Sequence, residues 1–327
     1  MNKSTITILC SGVAMGVYIP ALAVRHQLEN LDTPSEVVVL ESLISEEKRN
    51  KINDTKKIFH KNFRIAKKGH EMARDITSSL NPEIKSELFE KWKSENRRYF
   101  IVFSGFWMPL LLEFMDFVHP HEVYADLVIV DSEISPSWKS FKGDYPDSFK
   151  TIRLFKSEEN KIVQKIFTPK EPLLPFAERE NRLVIHGGGW GMGTYESHIP
   201  ELNEHGIDLN IMVYFHEDYK SSKNINRYFM VDPTWQPWDT DKTGRAEFPP
   251  FSEIYENQSE NYKNRDEYHE LFYVIAKSKG IISKPGGSTL VDSLASATPI
   301  IFLDPLSGHE EKNAKMWIDL GLGISYE

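Results

Sequence analysis

The sequence of 327 residues has almost no cysteine, no long apolar run and no excess of positive charge. The single cysteine, Cys10, excludes an intramolecular disulfide and a cysteine-based zinc site, and is typical of a reducing cytoplasm. No run reaches the roughly 18 to 20 apolar residues of a membrane span. The net charge of −9 argues against a nucleic-acid partner, because binding to the phosphate backbone requires clustered Lys and Arg. We therefore expect a cytoplasmic protein without a transmembrane segment.

The N-terminal segment allows a second interpretation. Lys3, the apolar residues 6–17 and the triplet Ala21-Leu22-Ala23 imitate a secretory signal with its cleavage site. The same residues also fit a strand, a turn and a helix, and their removal would delete the first strand of a sheet. We expect them to belong to the fold.

Short apolar segments alternate with helix-compatible segments along both halves of the chain. A hydrophobic content of 40% and a charged content of 27% indicate a folded protein with one large core or two medium ones. Strand, helix, strand alternation predicts parallel sheets in an α/β fold. A charged, proline-containing stretch at residues 156–182 marks a linker, so we predict domains at 1–168 and 169–327. Strands are predicted at residues 5–10, 36–40, 99–103, 126–130, 182–185, 209–215, 228–231, 281–282 and 298–303.

Residues 280–295 contain a strand, a Pro-Gly-Gly turn and the start of a helix. Gly286 and Gly287 allow a ligand to approach the backbone closely. Ser288 or Thr289 is a natural N-cap, and Asp292 lies near the capping-box position. Amides at such a helix start form an anion site, usually for phosphate. The simpler interpretation is a capped strand-turn-helix without a ligand.

The motif continues with a second strand and the sequence His309-Glu310-Glu311-Lys312-Asn313-Ala314. This order of features resembles the donor half of GT-B nucleotide-sugar glycosyltransferases. The resemblance is greatest to the group of the peptidoglycan-precursor N-acetylglucosaminyl transferase and the galactolipid synthases. It implies two Rossmann-like domains facing a cleft, with the nucleotide sugar, most simply a UDP-sugar, bound by the second domain.

The resemblance also implies residue roles on the donor side. Residues 286–289 would hold the diphosphate, Asp292 the ribose hydroxyls, and His309 and Glu310 the sugar hydroxyls. The glycine-rich loop after residue 186 matches the loop that opens the second domain of the family. Such enzymes typically need no bound metal, and no other cofactor is implied. The predicted donor-binding residues are Gly187, Gly188, Gly189, Trp190, Gly191, Gly286, Gly287, Ser288, Thr289, Asp292, His309, Glu310 and Asn313.

On the acceptor side, the loop at residues 11–19 resembles the first glycine loop of the same family. Val17 stands at the position of the family's histidine, and Met15 at that of a glycine. This departure, together with an aromatic second loop, leads us to expect a small-molecule acceptor rather than a lipid diphosphate. The predicted acceptor-side residues are Gly12, Gly16, Ser104, Gly105, Phe106 and Trp107.

Two carboxylates follow the fourth strand and are candidates for the general base. Asp131 and Glu133 come directly after residues 126–130, and ligands of α/β sheets bind at the carboxyl ends of strands. Each could equally be a turn or cap residue.

Other interpretations of the chain remain open. Gly12 and Gly16 with Glu41 could form a nicotinamide-dinucleotide site, although their spacing is G-x-x-x-G. The GT-B fold also hosts sugar-nucleotide hydrolases, 2-epimerases and non-catalytic nucleotide-sugar-binding proteins. The basic residues between 56 and 68 form either a solvated helix face or a docking surface for an anionic acceptor or membrane headgroups.

Two further segments carry expectations. Residues 232–266 form a long aromatic segment without a predicted element, which is usual for a functional loop. Members of the resembling family usually continue into a C-terminal helix that crosses back to the first domain. The resemblance therefore implies either that this brace is absent or that a longer form exists.

Overall fold

The computed structural model describes residues 4–71, 77–220, 225–256 and 260–327. The first half of the chain forms a sheet in which all neighbouring strands are parallel. Its five strands lie in the order β2-β1-β3-β4-β5, with β1 at Ile6–Cys10, β2 at Ser35–Val39, β3 at Tyr99–Val102, β4 at Tyr124–Ile129 and β5 at Phe149–Arg153.

Helices connect these strands, as parallel pairing requires. The clearest helix start is that of α4 (Pro82–Ser94), where the Asn81 side chain accepts hydrogen bonds from the Glu83 and Ile84 amides. The other elements of this half are α1 at Tyr18–Asn30, α2 at Glu46–Lys61, α3 at Phe63–Glu71, α5 at Met108–Phe117, α6 at Pro136–Ser140 and a hairpin of β6 (Phe155–Lys156) and β7 (Lys161–Ile162).

The second half forms a sheet of seven strands in the order β11-β10-β9-β8-β12-β13-β14. Only the pair β10 and β11 is antiparallel. The elements are β8 at Glu180–His186, α7 at Tyr195–Glu204, β9 at Asp208–Val213, β10 at Arg227–Val231, β11 at Phe251–Ile254, α8 at Glu270–Lys277, β12 at Ser278–Ser283, α9 at Gly287–Ser296, β13 at Ile300–Phe302, α10 at Gly308–Asp319 and β14 at Gly323–Ser325.

The predicted α/β class with two Rossmann-like sheets is confirmed. The halves are in contact, because Ile8 and Leu22 of the first belong to the same buried apolar cluster as Ile281 and Leu290 of the second. The predicted boundary at 168/169 falls between β7 and β8. Its exact position stays a prediction.

Three strands of the two larger sheets, and the hairpin of β6 and β7, were not predicted from the sequence. β5 and β14 are short or polar, and β11 lies inside the stretch at 232–266 that was expected to have no element. β11 follows two prolines and pairs antiparallel with β10 through residues such as Phe251 and Val231. Its apolar residues are too few to predict a strand before that partner is known.

Candidate active site

A cavity of about 360 Å³ lies between the two sheets at the carboxyl ends of their parallel strands. Both halves of the chain contribute to its wall. The predicted site residues that line it are Gly16, Ser104, Phe106, Asp131, Gly188, Gly189, Gly286, Gly287, Ser288, Thr289, Asp292, His309 and Glu310.

The remaining predicted residues lie outside this wall. Trp107 is fully buried, and its indole N–H donates to the Cys10 carbonyl at 2.8 Å, so it supports the first loop from behind. One carboxylate oxygen of Glu133 lies 4.0 Å from the Lys312 ammonium. The set outside the cavity wall is Gly12, Gly105, Trp107, Glu133, Gly187, Trp190, Gly191 and Asn313.

The first loop is held by a buried carboxylate. Glu41, only 2% exposed, accepts hydrogen bonds from the Ser11 hydroxyl at 2.6 Å and the Gly12 amide at 2.7 Å. Burial raises the pKa of Glu41, and the hydrogen bonds from Ser11 and Gly12 partly offset that increase. Because Glu41 is buried behind the first loop and does not line the cavity, it does not serve as the ribose-binding acid of a nicotinamide-dinucleotide site.

Helix α9 begins one residue before the expected cap. Its N-cap is Gly286, so the prediction of Ser288 or Thr289 as N-cap was wrong. The helix can start at Gly287 because the Pro285-Gly286 turn already directs the chain. Glycine has no side chain to cap the helix, and Gly287, Ser288 and Thr289 at the start of α9 line the cavity. This helix start is suited to an anionic ligand.

Asp292 lies one turn into α9 and is held by two side chains of the preceding segment. The Tyr268 hydroxyl and the His269 Nε2 atom each lie 2.9 Å from Asp292 Oδ1. Both contacts end on the same oxygen, and Asp292 lines the cavity. The carboxylate is therefore fixed in position through Oδ1.

A buried ion pair crosses the cavity floor. The Lys284 ammonium donates to Glu310 Oε1, and the Leu306 amide donates to Glu310 Oε2 at 2.7 Å. The side chains are 10% and 4% exposed. Burial raises the pKa of Glu310, but Lys284, the Leu306 amide and His309 together lower it below its ordinary value. Lys284 was not among the predicted residues, although it directly precedes the Pro-Gly-Gly turn.

Asp131 is fixed at the centre of the cleft by the second half of the chain. The Asn313 side chain donates to Asp131 Oδ1 at 2.9 Å and to the Pro285 carbonyl at 2.9 Å, and it accepts from the Ser132 amide. His309 Nε2 lies 3.9 Å from Asp131 Oδ2. Asn313 therefore ties the base candidate to the α9 turn from outside the cavity wall.

His70 and His186 line the cavity and were not predicted from the sequence, and the same is true of His269, which holds Asp292. His70 lies 5.4 Å from His309 between ring centroids, and His186 ends β8. Burial is the main cause that lowers each pKa to about 4, so both rings are neutral at pH 7. The position of His186 beside the glycine-rich loop could have been a signal. His70 lies in a charged helix and gave none.

The glycine-rich loop contacts the first half through His60 of α2. His60 Nδ1 donates to the Gly191 carbonyl at 2.9 Å, while Nε2 lies 3.2 Å from Asp218 Oδ2 and 3.5 Å from Glu196 Oε1. Burial lowers the pKa of His60, but Asp218, Gly191 and Glu196 together raise it above its ordinary value. These contacts bring the two halves together beside the cleft.

The same three side chains could also hold a metal ion. One ligand atom from each of His60, Glu196 and Asp218 lies within 4.8 Å of the others. The sequence analysis did not identify this group, because its members are far apart in the chain.

Gly189 allows the glycine-rich loop of the second half to approach the first loop, at residues 11–19, closely. A Cβ at this position would collide with the backbone carbonyl of Ala14 in the first loop. We therefore expect Gly189→Ala to lower the free energy of unfolding by about 1–3 kcal/mol, since the contacting atoms are backbone and cannot turn away. Urea denaturation measures this change.

Gly16→Ala is the matched control, because Gly16 lies in the opposing loop and a Cβ there would meet nothing within 4 Å. Equal losses of stability in the two variants would contradict the close approach of the loops at Gly189.

The long segment between β10 and β11 belongs to the second half of the chain and packs against the first half. The Trp235 ring lies 5.7 Å from the Tyr18 ring, the Tyr18 hydroxyl donates to the Glu247 carbonyl at 2.7 Å, and Pro237 packs on Gly12. Pro249 and other residues near β11 line the cavity. The segment therefore closes one side of the cleft and packs against α1.

In the part of the chain that the structure describes, no helix is long and apolar enough to cross a membrane. The basic helices α2 and α3 are largely solvated, and Lys57, Lys61, Arg64 and Lys68 are exposed.

Comparison with known proteins supports the fold. A spinosyn rhamnosyltransferase, SpnG, crystallised with thymidine diphosphate, is similar with a TM-score of 0.54 and 10% identity over 98% of this chain and 86% of that one. The Arabidopsis thaliana protein UGT89C1, crystallised with UDP-L-rhamnose, has a TM-score of 0.51 and 10% identity over 99% of this chain and 85% of that one. These likenesses show the GT-B fold predicted from the sequence.

One known protein is also similar to a short part of this chain in sequence. A processive diacylglycerol beta-glucosyltransferase of Staphylococcus carnosus is 40% identical over 55 residues. That match spans 17% of this chain and 14% of the other protein. No family model matches the chain.

Proposed function

We propose that the protein is an inverting glycosyltransferase that moves a sugar from a nucleoside-diphosphate donor to a small acceptor. The observation that carries this proposal is the uncapped start of α9, which shares one cavity with Asp292 and Asp131. In this proposal the helix start would be the anion site, Asp292 the carboxylate for the ribose hydroxyls and Asp131 the base. The donor that we favour is a UDP-sugar.

On the donor side, the amides at residues 287–289 would hold the diphosphate, and the partial positive charge of the helix start would favour it. Asp292 would accept from the ribose hydroxyls through Oδ2. His309 and Glu310 line the same cavity beyond the helix start and would contact the sugar hydroxyls. Side chains and helix amides would neutralise the phosphates, so the reaction is proposed to need no metal.

The acceptor side is mainly apolar. Val13, Met15 and Val17 of the first loop line the cavity together with Phe59 and Phe106. No cationic cluster for a diphosphate is contributed by these described residues. We therefore propose a small, largely apolar acceptor that carries a hydroxyl or amine group, rather than a lipid diphosphate.

The chemistry would be a single displacement. The acceptor oxygen or nitrogen forms a bond to the anomeric carbon while the bond from that carbon to the phosphate oxygen breaks. The leaving electron pair stays on the β-phosphate, and the acceptor proton passes to the Asp131 carboxylate. Attack from the face opposite the leaving group inverts the anomeric configuration. Asp131 would then act as general base in place of the family's histidine at position 17.

Proteins of the same fold and local sequence support this assignment. The structural neighbours hold thymidine diphosphate and UDP-L-rhamnose, and the local relative is named for glucosyl transfer to diacylglycerol. Two of these names describe sugar transfer, and diacylglycerol is an apolar acceptor without a diphosphate.

One experiment separates this function from its alternatives. UDP-, TDP- and GDP-sugars are incubated with the protein, alone and with a panel of phenols, alcohols and amines of low polarity. Mass spectrometry detects glycosides and free sugars, and NMR assigns the anomeric configuration. The proposal predicts an acceptor-dependent glycoside of inverted configuration.

The other outcomes assign other functions. Free sugar released without an acceptor would identify a hydrolase, and an altered sugar would identify a 2-epimerase. Donor binding without turnover across the panel would indicate a nucleotide-sugar-binding protein, an interpretation that Val17 at the family's histidine position favours.

A further inference from the structure

The imidazole of His186 contains a buried hydrogen-bonding atom without a partner. His186 is the last residue of β8, is 4% exposed and lines the cleft cavity. Its Nε2 atom has no hydrogen-bond partner among the described residues. Buried polar atoms are almost always paired, so an unpaired one in a cavity wall indicates a missing ligand.

The tautomer of His186 follows from its other nitrogen. The Gly188 amide donates to Nδ1 at 3.0 Å, so Nδ1 is an acceptor and the proton of the neutral ring lies on Nε2. The ring is neutral at pH 7 because burial, the main cause, lowers its pKa to about 4. Nε2 is therefore an N–H donor that requires an acceptor.

Two further groups suited to an anion line the same cavity. The start of α9 presents uncapped amides, and α9 has 10 residues. Lys284 lies between the two glycine turns, because a Cβ on Gly188 would be 3.4 Å from Lys284 Cε and a Cβ on Gly286 would be 3.2 Å from Lys284 Nζ. Helix amides, an ammonium group and an imidazole N–H thus share one cavity wall.

We propose that His186 donates a hydrogen bond from Nε2 to a phosphate oxygen of the donor diphosphate, and so is a positioning residue for the leaving group. This inference rests on the proposed function. The bond strengthens as negative charge develops on the departing diphosphate, which favours bond cleavage. The ring also couples the two glycine-rich turns, since its Nδ1 holds Gly188 while its Nε2 holds the ligand.

Two substitutions separate the roles of the two nitrogens. His186→Asn places an acceptor near Nδ1, which keeps the Gly188 contact, but it removes the Nε2 donor. His186→Gln places an amide N–H near the Nε2 position. Calorimetry then measures the affinities of both variants and the wild type for UDP, TDP, uridine and thymidine.

We expect His186→Asn to weaken binding of the nucleoside diphosphate by roughly 10- to 100-fold, because a hydrogen bond to a charged group is lost. Its affinity for the corresponding nucleoside should stay unchanged, and His186→Gln should recover most of the diphosphate affinity. Unchanged diphosphate affinity in His186→Asn, or equal losses for diphosphate and nucleoside, would overturn the inference. Failure of the wild type to bind any nucleoside diphosphate would instead refute the proposed function, and this inference with it.

A measurement on the wild type covers the case in which a variant does not fold. Long-range ¹H–¹⁵N spectra report the Nε2 resonance of each histidine. Addition of UDP or TDP should shift the His186 Nε2 resonance, whereas the nucleoside should not. An unshifted resonance at saturating nucleoside diphosphate would contradict the contact.

Discussion

Asp131→Asn is expected to reduce glycosyl transfer by about 10²- to 10⁴-fold, the range that general-base catalysis contributes. The substitution keeps the shape of the side chain and an oxygen that can accept from Asn313, but it removes the proton acceptor. Binding of the nucleoside diphosphate should change by less than about threefold, because the loss is confined to the chemical step. Steady-state rates and calorimetry on the same preparation measure the two effects.

Glu133→Gln is the matched control. Glu133 follows the same strand only two residues later, but it lies outside the cavity wall and near Lys312. Its substitution should leave transfer within about twofold of the wild type, as expected for a group that does not take part in the transition state. Full activity of Asp131→Asn, or a large loss in Glu133→Gln, would contradict Asp131 as the base.

Glu310→Gln is expected to lower the free energy of unfolding by about 3–5 kcal/mol, because it leaves the buried Lys284 charge without a counter-charge. The double variant Lys284→Met/Glu310→Gln should recover most of this loss, since no buried charge then remains. Urea denaturation of the single and double variants measures the coupling between the two side chains.

An exposed ion pair provides the comparison. The Lys85 ammonium nitrogen lies 2.6 Å from Glu113 Oε1, and the two side chains are 26% and 52% exposed. Glu113→Gln should cost no more than about 1 kcal/mol, since solvent screens such pairs. Similar costs for the buried and exposed substitutions would contradict the assignment of Lys284 and Glu310 as a buried ion pair.

The fold could be predicted from the sequence because each strand and turn is indicated by residues that are adjacent in the chain. Short β-branched strands ending in glycine turns occur at residues 280–287 and 182–189, and each became a strand followed by a turn at the cleft. The residues nearest these turns, such as Gly286, Asp292 and Asp131, could be predicted as cavity residues because carboxyl ends of parallel strands meet at one edge.

The parts that could not be predicted depend on contacts between distant residues. Asn313 was predicted as a donor-binding residue, but its side chain links the Pro285 carbonyl to Asp131, which lies 182 positions before Asn313 in the chain. His60 meets the glycine-rich loop 131 positions later. Neither contact leaves a pattern in the residues around it, since each depends on how the two halves pack.

The side-chain direction of Trp107 is a further feature that could not be predicted from the sequence. Its aromatic loop indicated a bulky cleft wall, and the neighbouring Phe106 does line the cavity. The Trp107 side chain instead lies behind the first loop, because its indole N–H donates to the Cys10 carbonyl at the end of β1. The direction of a side chain in a short loop depends on such hydrogen-bond partners rather than on the amino-acid composition of the loop.

The central claim is that the cleft binds a nucleoside diphosphate at the start of α9, and calorimetric titration tests it most directly. UDP and TDP are titrated into the wild type and into Asp292→Asn, which keeps an acceptor for Tyr268 but removes the charge that would hold the ribose. We expect saturable binding of one nucleoside diphosphate per chain, weakened roughly tenfold or more by the substitution. Absence of saturable nucleoside diphosphate binding would contradict it, and saturable binding of NAD in its place would indicate a dinucleotide site.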